Sequence, residues 1–523
     1  MNKENVIVIV ATNAKNKLLR LKPSLCSYLS LLIVSFFSPM AFAQQGIDEF
    51  INNSVQPITS FISAIVFYSV SVFGTDVPLV VAWLVFAAVY FTLYFKFINL
   101  RGFSHAIKLI RGSDSKSKDP GEVTHFQALT TAVSGTVGIG NIAGVAVAIS
   151  VGGPGATFWI IIAGILGMST KFIECTLGVL LRRENADGSV SGGPMYYLQY
   201  AFAEKGWNKA GVFIGRFYAL GIVLGCLGIG NMFQSNQAYM QFVNVTGGAD
   251  GSWFADKAWL FGLILGGVVG LVILGGIQSI AKVTSKVVPF MAILYCVSAI
   301  TIIGMNYEAI PYAINAIISG AFSPEGMSGG AIGVMIVGFQ RAVFSNEAGI
   351  GSASIAHSAV RTKEPITEGY VSLLEPFIDT VVICTLTALV IVTTFYYDPA
   401  FNEGLGGIEM TSAAFARNIS WSPYLIAIAG MLFAFSTMIA WAYYGLKGWT
   451  YLVGEKVWAS NLFKLVFCLF VALGCSIQLD AVLDFSDALV FLICVPNIIG
   501  LYMLAPLVKR ELSKYNRKYI DGK

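Results

Sequence analysis

Long apolar runs constrain this sequence more than any other feature. Eleven stretches each hold about 20 predominantly apolar residues, the length that an α-helix needs to cross the hydrocarbon core of a bilayer. They lie near residues 77–97, 126–150, 155–181, 210–240, 257–276, 287–305, 328–357, 370–393, 422–445, 460–478 and 486–507. The pattern predicts an all-α polytopic membrane protein, with a transmembrane domain over 77–507 and the lipid bilayer as its surroundings.

Composition excludes the main soluble classes. Hydrophobic residues make up 56% of the 523-residue chain and charged residues 12%, against about 25% charged residues in soluble domains. The net charge of +4 is too small to indicate a nucleic-acid partner. The eight cysteines form no CxxC motif and there are three histidines, so we expect buried, inert thiols and no zinc site.

Residues 1–43 have the pattern of a secretory signal peptide. A basic segment, Lys15 to Lys22, precedes the apolar run Leu29 to Phe37, and Ala41-Phe42-Ala43 forms a cleavage signal before Gln44. The alternatives are an uncleaved anchor or a mis-assigned start. Cleavage implies a bacterial inner membrane or its equivalent, with the mature N-terminus outside the cytoplasm. Residues 44–76 would follow as an amphipathic segment on the outer face, helical over 47–70.

The distribution of basic residues predicts the same orientation. The loop after the first span carries six of them: Lys96, Arg101, Lys108, Arg111, Lys116 and Lys118. The loops 241–256 and 306–327, which would lie outside, carry none. The basic C-terminal tail over 508–523 is therefore predicted to be cytoplasmic.

Two spans contain stretches that are poor continuous helices. Residues 134–141 read SGTVGIGN and residues 344–352 read FSNEAGIGS, and such glycine-rich, polar segments are tolerated in lipid where the freed backbone lines a cavity. Gly138-Ile139-Gly140 recurs 349 − 138 = 211 residues later, as Gly349-Ile350-Gly351. Each break opens a five-span block, 126–305 and 328–507. An odd number of spans inverts the second block, so we predict a 5+5 inverted repeat. The alternative is that the glycines serve tight helix packing.

Ionisable residues within the spans have two interpretations. Lys171 and Glu174 lie three residues apart and can pair on one helix face. Arg341 and Glu347 flank the second break, and Glu375 and Asp379 follow in the next span. One interpretation is a structural charge network between helices, and the other is a proton relay.

Uncharged polar residues are better candidates for contacting a ligand. Asn231 and Gln234 end the fourth span, and Ser436, Thr437 and Trp441 lie in the ninth. Thr437 and Trp441 are four residues apart and share a helix face, which suits a small amphipathic ligand. Trp441 is alternatively a membrane-interface residue, and Gln234 a helix–helix hydrogen-bonding residue.

Several long motifs resemble those of the alanine/glycine:cation symporters, also called sodium:alanine symporters. They are SGTVGIGNIAG at 134–144, GGPGATFW at 152–159 with KFIE at 171–174, GGPMYYL at 192–198, GIGNMFQSN at 228–236 and FSNEAGIGSASIAH at 344–357. The sequence departs from the family pattern at Thr157, where an aliphatic residue is usual, and at Ile161, where tryptophan is usual.

The resemblance implies a leucine-transporter-like 5+5 fold with one extra N-terminal transmembrane helix, and cotransport of sodium with alanine or glycine. Substrate-binding residues carried over from the family are Thr136, Gly138, Gly140, Gln234, Phe344, Asn346, Thr437 and Trp441. Sodium would be held by carbonyls near Gly135 and Val137 and by the hydroxyls of Ser436 and Thr437. No cofactor is implied besides the cotransported sodium ion, and the oligomeric state is left open.

The function hypothesis is therefore a sodium-driven symporter that works by alternating access. A proton-coupled transporter using Glu347, Glu375 or Asp379 is the alternative. A membrane enzyme has no catalytic motif to support it, and a channel has no repeated filter segment.

Overall fold

The computed structural model describes residues 57, 59–72, 74–112, 119–185, 188–323, 330–396, 405, 407–477 and 479–520, and it describes the side chains of the last range from residue 482 onward. The predicted signal peptide over 1–43 lies outside the described residues, as do 44–56 of the segment that follows it.

The described residues of the first half of the chain form mainly helices, with two short hairpins. Its helices are α1 (Leu79–Tyr94), α2 (Ile98–Arg101), α3 (Phe103–Arg111), α4 (His125–Thr136), α5 (Ala143–Gly152), α6 (Ala156–Leu180), α7 (Pro194–Glu204), α8 (Asn208–Val245), α9 (Gly248–Gly251), α10 (Ala258–Ile273) and α11 (Gly276–Met305). A 3₁₀ turn, Ile139–Asn141, separates α4 from α5, and a π-helical turn, Gly228–Met232, lies within α8.

The second half continues in the same way. Its helices are α12 (Ile310–Ala321), α13 (Gly330–Asn346), α14 (Ala353–His357), α15 (Pro365–Tyr396), α16 (Gly407–Ala416), α17 (Ser422–Val453), α18 (Val457–Gly474) and α19 (Leu479–Tyr519). A 3₁₀ turn, Tyr307–Ala309, precedes α12. α15 includes two π-helical stretches, Phe377–Cys384 and Val392–Tyr396.

In the part of the chain that the structure describes, two antiparallel hairpins accompany the helices. Strands β1 (Ser69–Val72) and β2 (Thr75–Pro78) pair directly before α1, and β3 (Arg183–Glu184) pairs with β4 (Val190–Ser191) after α6. Residues 59–66 are helical, whereas residues 69 and 70, which the sequence assigned to the amphipathic helix, already belong to β1. The position of this segment at the outer interface stays a prediction.

Each of the eleven predicted spans contains a helix at the expected place. Among the described residues, seven helices are long and apolar enough to cross a membrane, and eight qualify if α4 and α5 count as one bent span. α1 and α10 are apolar but shorter. A mostly helical membrane protein is thus confirmed, while the number of eleven spans stays a prediction.

The core lies around α17, against which α4, α8, α11 and α18 pack. Every residue of α17 from 436 to 445 is buried, including the large side chains of Trp441 and Tyr444. By contrast, only 28% of the apolar windows of α11 and α18 is buried within the protein. Apolar side chains that face outward are expected where a helix contacts lipid, so these two helices belong to the periphery.

Candidate functional site

The first break is a bend of 58° between α4 and the segment Ile139–Gly152. A capping box starts α4: the Thr124 hydroxyl accepts from the Gln127 amide at 3.3 Å, and the Gln127 side chain accepts from the Thr124 amide at 3.1 Å. The helix ends at Thr136, and Gly138 is extended with φ −132° and ψ −163°. The unwound backbone of residues 137 and 138 is fully surrounded by protein.

The second break separates α13 from α14. Glu347 has φ 58° and Gly349 has φ 94°, left-handed conformations that end a helix and that glycine adopts without strain. The Gly349 amide donates to Glu174 Oε1 at 3.0 Å, and its carbonyl accepts from Asn497 Nδ2 at 2.8 Å. The Ile350 carbonyl accepts from the Tyr218 hydroxyl at 2.7 Å. Side chains of α6, α8 and α19 therefore replace the hydrogen bonds that this backbone lost.

The two breaks meet through a polar cluster. Asn141 Nδ2, from the first break, donates to Ser345 Oγ at 3.1 Å and to Asp379 Oδ1 at 2.6 Å. Ser345, at the end of α13, donates to Asp379 Oδ2 at 2.9 Å. All three side chains are buried. The carboxylate of α15 thus joins both broken helices.

Gln234 holds the first break from the side of α8. Its Oε1 accepts from the Ile139 amide at 3.1 Å, and its Nε2 donates to the Ile229 carbonyl at 3.0 Å. A Cβ added at Gly138 would lie 2.6 Å from Thr437 Oγ1 and 3.0 Å from Gln234 Oε1. Glycine is therefore required at 138 by the close approach of α8 and α17.

Oxygen atoms of α17 contact oxygen atoms of the first break around Thr437, whereas the neighbouring Ser436 hydroxyl contacts its own helix and lies 3.4 Å from Met291 Sδ. Thr437 Oγ1 donates to the Ser134 carbonyl at 3.0 Å and lies 3.5 Å from the Val137 carbonyl. Ser436 Oγ lies 3.0 Å from the Phe433 carbonyl, one helical turn earlier. The Ser134 hydroxyl in turn donates to the Ser436 carbonyl at 2.6 Å. Carbonyl and hydroxyl oxygens are hard donors of the kind that hold alkali cations at broken helices.

Trp441 bridges the two breaks. Its indole N–H lies 3.2 Å from the Gly135 carbonyl and 2.9 Å from Glu347 Oε1. Glu347 also accepts a hydrogen bond from Ser352. Trp441 is fully buried, so the interpretation as a membrane-interface residue is wrong.

Phe344 and Gly140 face each other across the breaks. A Cβ added at Gly140 would lie 3.6 Å from the Phe344 ring, and that ring packs edge to face on Phe233 with the centroids 5.3 Å apart. The Arg341 guanidinium lies 5.3 Å from the centre of the Phe344 ring and pairs with Asp487. An aromatic wall thus closes one side of the junction.

Three of the predicted site residues, Asn346, Thr136 and Gly135, make contacts other than those that the sequence predicted. Asn346 contacts Thr380 and the Ala348 amide, so it faces α15 and its own turn. Thr136 lies beside the carbonyls of Ala132 and Val133 in its own helix, at 3.4 and 3.3 Å. The Gly135 carbonyl faces Trp441, whereas the Ser134 carbonyl contacts Thr437, so Ser134 replaces Gly135 in the oxygen cluster.

The sequence of this chain matches a known family over most of its length. The profile of the sodium:alanine symporter family covers residues 59–523. The chain belongs to this family. It is therefore a multi-pass membrane transporter of the symporter type and not an enzyme.

Two relatives illustrate the range within the symporter family. The sodium/alanine symporter AgcS of Methanococcus maripaludis is 36% identical over 441 residues, which cover 84% of this chain and 94% of that protein. The probable sodium/glutamine symporter GlnT of Bacillus subtilis is 33% identical over 448 residues, which cover 85% of this chain and 89% of that protein.

A solved structure supports the fold of the symporter. The crystal structure of MhsT in complex with L-phenylalanine superimposes with a TM-score of 0.54 at 15% sequence identity, covering 73% of this chain and 89% of that chain. At this identity the likeness concerns the fold alone. It confirms a leucine-transporter-like fold.

Sequence reasoning about the symporter missed several pairings. The predicted pair of Lys171 with Glu174 is wrong. Lys171 Nζ binds Glu375 Oε1 on α15 at 2.8 Å, and Glu174 accepts a hydrogen bond from the Gly349 amide in the second break. Ser134, Asn141 and Asn497 were not singled out as site residues. Ser134 and Asn141 flank the glycines of the first motif, and this position could have identified them as site residues. Asn497 lies in an apolar run, where no sequence pattern distinguishes it.

Proposed function

We propose that this chain couples the inward movement of sodium to the uptake of a small neutral amino acid, alanine or glycine. The oxygen cluster around Thr437 carries the proposal, because it joins the unwound backbone of the first break to α17. A cation there would neutralise the inward-facing carbonyl dipoles of two elements at once. The family and its sodium/alanine and sodium/glutamine relatives support the same assignment.

The proposed sodium ligands are five oxygens from the two elements. They are the carbonyls of Ser134, Val137 and Phe433 and the hydroxyls of Ser436 and Thr437. Because Thr437 Oγ1 now donates its proton to the Ser134 carbonyl, binding requires the hydroxyl to rotate so that its lone pair faces the cation. The ligand set is neutral, which suits a monovalent ion.

The proposed amino-acid site lies between the breaks. Backbone amides around Gly138 and Gly140 would hold the substrate carboxylate, since the start of the half-helix carries partial positive charge. Carbonyls of the second break would receive the ammonium group. Phe344 and Trp441 would form the wall against the side chain, leaving room for a hydrogen or a methyl group. Gln234 would keep the amide at 139 in place.

The two five-span blocks, 126–305 and 328–507, are proposed to form an inverted repeat with α1 as the extra N-terminal helix. Rocking of one bundle against the other would then expose the site to each side in turn. We propose the orientation given by the charge distribution, with a periplasmic mature N-terminus after cleavage at Ala43 and a cytoplasmic tail.

Uptake into proteoliposomes tests this function. Purified protein is reconstituted, and entry of labelled alanine is followed with and without an inward sodium gradient at equal pH and clamped potential. We expect accumulation only with the gradient, and competition by unlabelled glycine. Equal uptake in choline medium would contradict sodium coupling.

Proton coupling is the second candidate mechanism, and the position of Glu347 favours it. Its carboxylate lies at the junction of the breaks and contacts Trp441. Glu375 instead pairs with Lys171, and Asp379 is enclosed by Asn141, Ser345 and Thr380. Uptake driven by a pH gradient alone, and lost in Glu347→Gln, would support this candidate over sodium.

A further inference from the structure

A row of buried ionisable side chains runs beside the second break and takes no part in the proposed transport site. It contains His125 from α4, Glu368 and Glu375 from α15, His357 from the end of α14 and Lys171 from α6. The side chains of the last four are fully buried, and that of His125 is 5% exposed. The row thus crosses four helices within the protein.

Glu368 fixes the protons of both histidines. One carboxylate oxygen receives a hydrogen bond from His125 Nδ1, and the other lies 2.5 Å from His357 Nδ1. A carboxylate only accepts hydrogen bonds, so each imidazole carries a proton on Nδ1. In the neutral form, His357 Nε2 is then left with a lone pair and no proton.

Beyond His357 the row is interrupted. His357 Nε2 and Glu375 Oε2 face each other at 3.8 Å, and neither atom has a hydrogen-bond partner among the described residues. The other oxygen of Glu375 binds Lys171 at 2.8 Å. Two buried acceptors facing each other are unfavourable, and a single proton between them would turn the contact into a charge-assisted hydrogen bond.

The charge balance of the row also favours the binding of one proton. With neutral imidazoles, Lys171 supplies one positive charge against the two negative charges of Glu368 and Glu375. One added proton makes these five groups neutral, which lowers the cost of burial. Other ionisable groups that interact electrostatically with members of the row are Glu174, Cys175, Arg182, Glu347, Asp379 and Tyr444.

We propose that His357 Nε2 and Glu375 Oε2 form a proton-binding site that fastens the second break. The proton comes from water, binds Nε2 and is returned to water when the site empties. When it is bound, His357 at the end of α14 gains a second tie to α15 besides Glu368, and through Glu375 and Lys171 it is also tied to α6. When it is absent, His357 keeps only its contact with Glu368, and the link through Glu375 and Lys171 to α6 is lost, so α14 moves more easily with the break. The site controls transport without carrying the substrate or its driving ion.

Nuclear magnetic resonance of histidine labelled with nitrogen-15 tests proton binding directly. The chain has three histidines, so the signals of the whole protein in detergent are assigned with His105→Gln and His125→Gln. We expect His357 to change from the neutral Nδ1–H form to the doubly protonated form on acidification between about pH 10 and pH 5. A His357 that keeps one form over this range would overturn the proposal.

The variant Glu375→Gln tests whether Glu375 shares the proton with His357. An amide at this position donates a hydrogen bond to Nε2 without an added proton, so His357 should stay neutral over the same range. A titration of His357 that is unchanged in Glu375→Gln would contradict the assignment. This readout does not depend on transport, so it remains valid if the proposed symport fails.

The effect on transport rests on the proposed function and is measured separately. At a fixed sodium gradient, we expect the wild-type uptake rate to rise on the order of tenfold as the lumen is made more alkaline through the titration of His357. Glu375→Gln should be slow and insensitive to pH. A wild-type rate that does not follow the titration of His357 would refute the control of transport.

His105→Gln is the matched control. His105 lies on α3, binds the Tyr515 hydroxyl at 2.9 Å and packs on the Tyr370 ring, and neither of these contacts involves a member of the row. Burial, and after it the nearby Lys108, lower the pKa of the His105 imidazole. This variant should keep the wild-type dependence on pH; the loss of that dependence would place the sensor at His105 and overturn the proposal.

Discussion

At the scale of the residue, the symporter replaces lost helix hydrogen bonds with single side chains. Gln234 binds the Ile139 amide, Thr437 binds the Ser134 carbonyl, and Trp441 contacts the Gly135 carbonyl. Each of these groups is fully enclosed, so it has no water as a substitute partner. A change of one atom at these positions is therefore expected to alter binding and not only stability.

Thr437→Ala is expected to raise the half-saturation constant for sodium about tenfold, equivalent to about 1.4 kcal/mol. The substitution removes one of the five proposed oxygen ligands. Sodium titration of alanine uptake measures the change. Thr437→Ser keeps the hydroxyl and should remain close to wild type. An unchanged constant in Thr437→Ala would remove this residue from the cation site.

Gly230→Ala is expected to impair transport, because the new Cβ would lie 2.2 Å from Trp441 Cβ. Overpacking of this kind costs about 1–3 kcal/mol and would displace the indole. Alanine uptake and thermal unfolding report both effects. Gly225→Ala on the same helix α8 is the control, since its Cβ would meet nothing within 4 Å. Equal behaviour of the two variants would show that Trp441 tolerates displacement.

At the scale of the element, the two broken helices differ in how they are held. The first break contacts α8 and α17 through Gln234 and Thr437, whereas the second is held by α6 and α19 through Glu174 and Asn497. Glu174 Oε1 accepts from both the Gly349 amide and Asn497 Nδ2. The second break is thus anchored by a three-way contact whose loss would leave backbone groups unpaired.

Glu174→Leu is expected to destabilise the protein by about 1–3 kcal/mol, because it leaves the buried Gly349 amide without an acceptor. Glu174→Gln keeps an oxygen at the same place and should retain most of the stability. Thermal unfolding of the purified protein in detergent compares the two. If Glu174→Gln lost as much stability as Glu174→Leu, then the negative charge, and not the hydrogen bond, would be what the site requires.

At the scale of the whole molecule, alternating access requires that each end of the bundle face a known side. The charge distribution predicts that 241–256 faces outward and that the tail faces the cytoplasm. Asp250 and Lys514 are both exposed, and they lie at the two regions concerned. They are therefore suitable positions for probing the orientation.

Asp250→Cys should react with a membrane-impermeant maleimide in intact cells, whereas Lys514→Cys should react only after the membrane is opened. Gel analysis of the labelled protein measures both, with the wild type as the background from native cysteines. The reverse pattern would invert the proposed topology. Labelling of both variants in intact cells would instead show that the tail is outside.

The sequence predicted which polar residues lie near one another better than it predicted their contacts. Gly138, Gln234, Thr437 and Trp441 do come together. The reason is that the backbone freed at a glycine-rich break needs polar side chains as hydrogen-bond partners inside a membrane. The ion pairs were not predictable: Lys171 has Glu174 one turn away but binds Glu375, 204 residues along the chain. Which partner wins depends on how two helices are rotated against each other, and apolar runs carry little information about that rotation.

Sequence patterns alone were enough to predict a helical membrane protein, the places where two helices break, and the family that its motifs resemble. These properties follow from local chemistry: apolar length, glycine content and polar residues that need partners. The folded structure was needed to show that Ser134 and not Gly135 contacts Thr437, that Asn346 contacts α15, and that His357 faces Glu375. Such choices depend on the register and rotation of helices far apart in sequence, which the packing of the whole bundle sets.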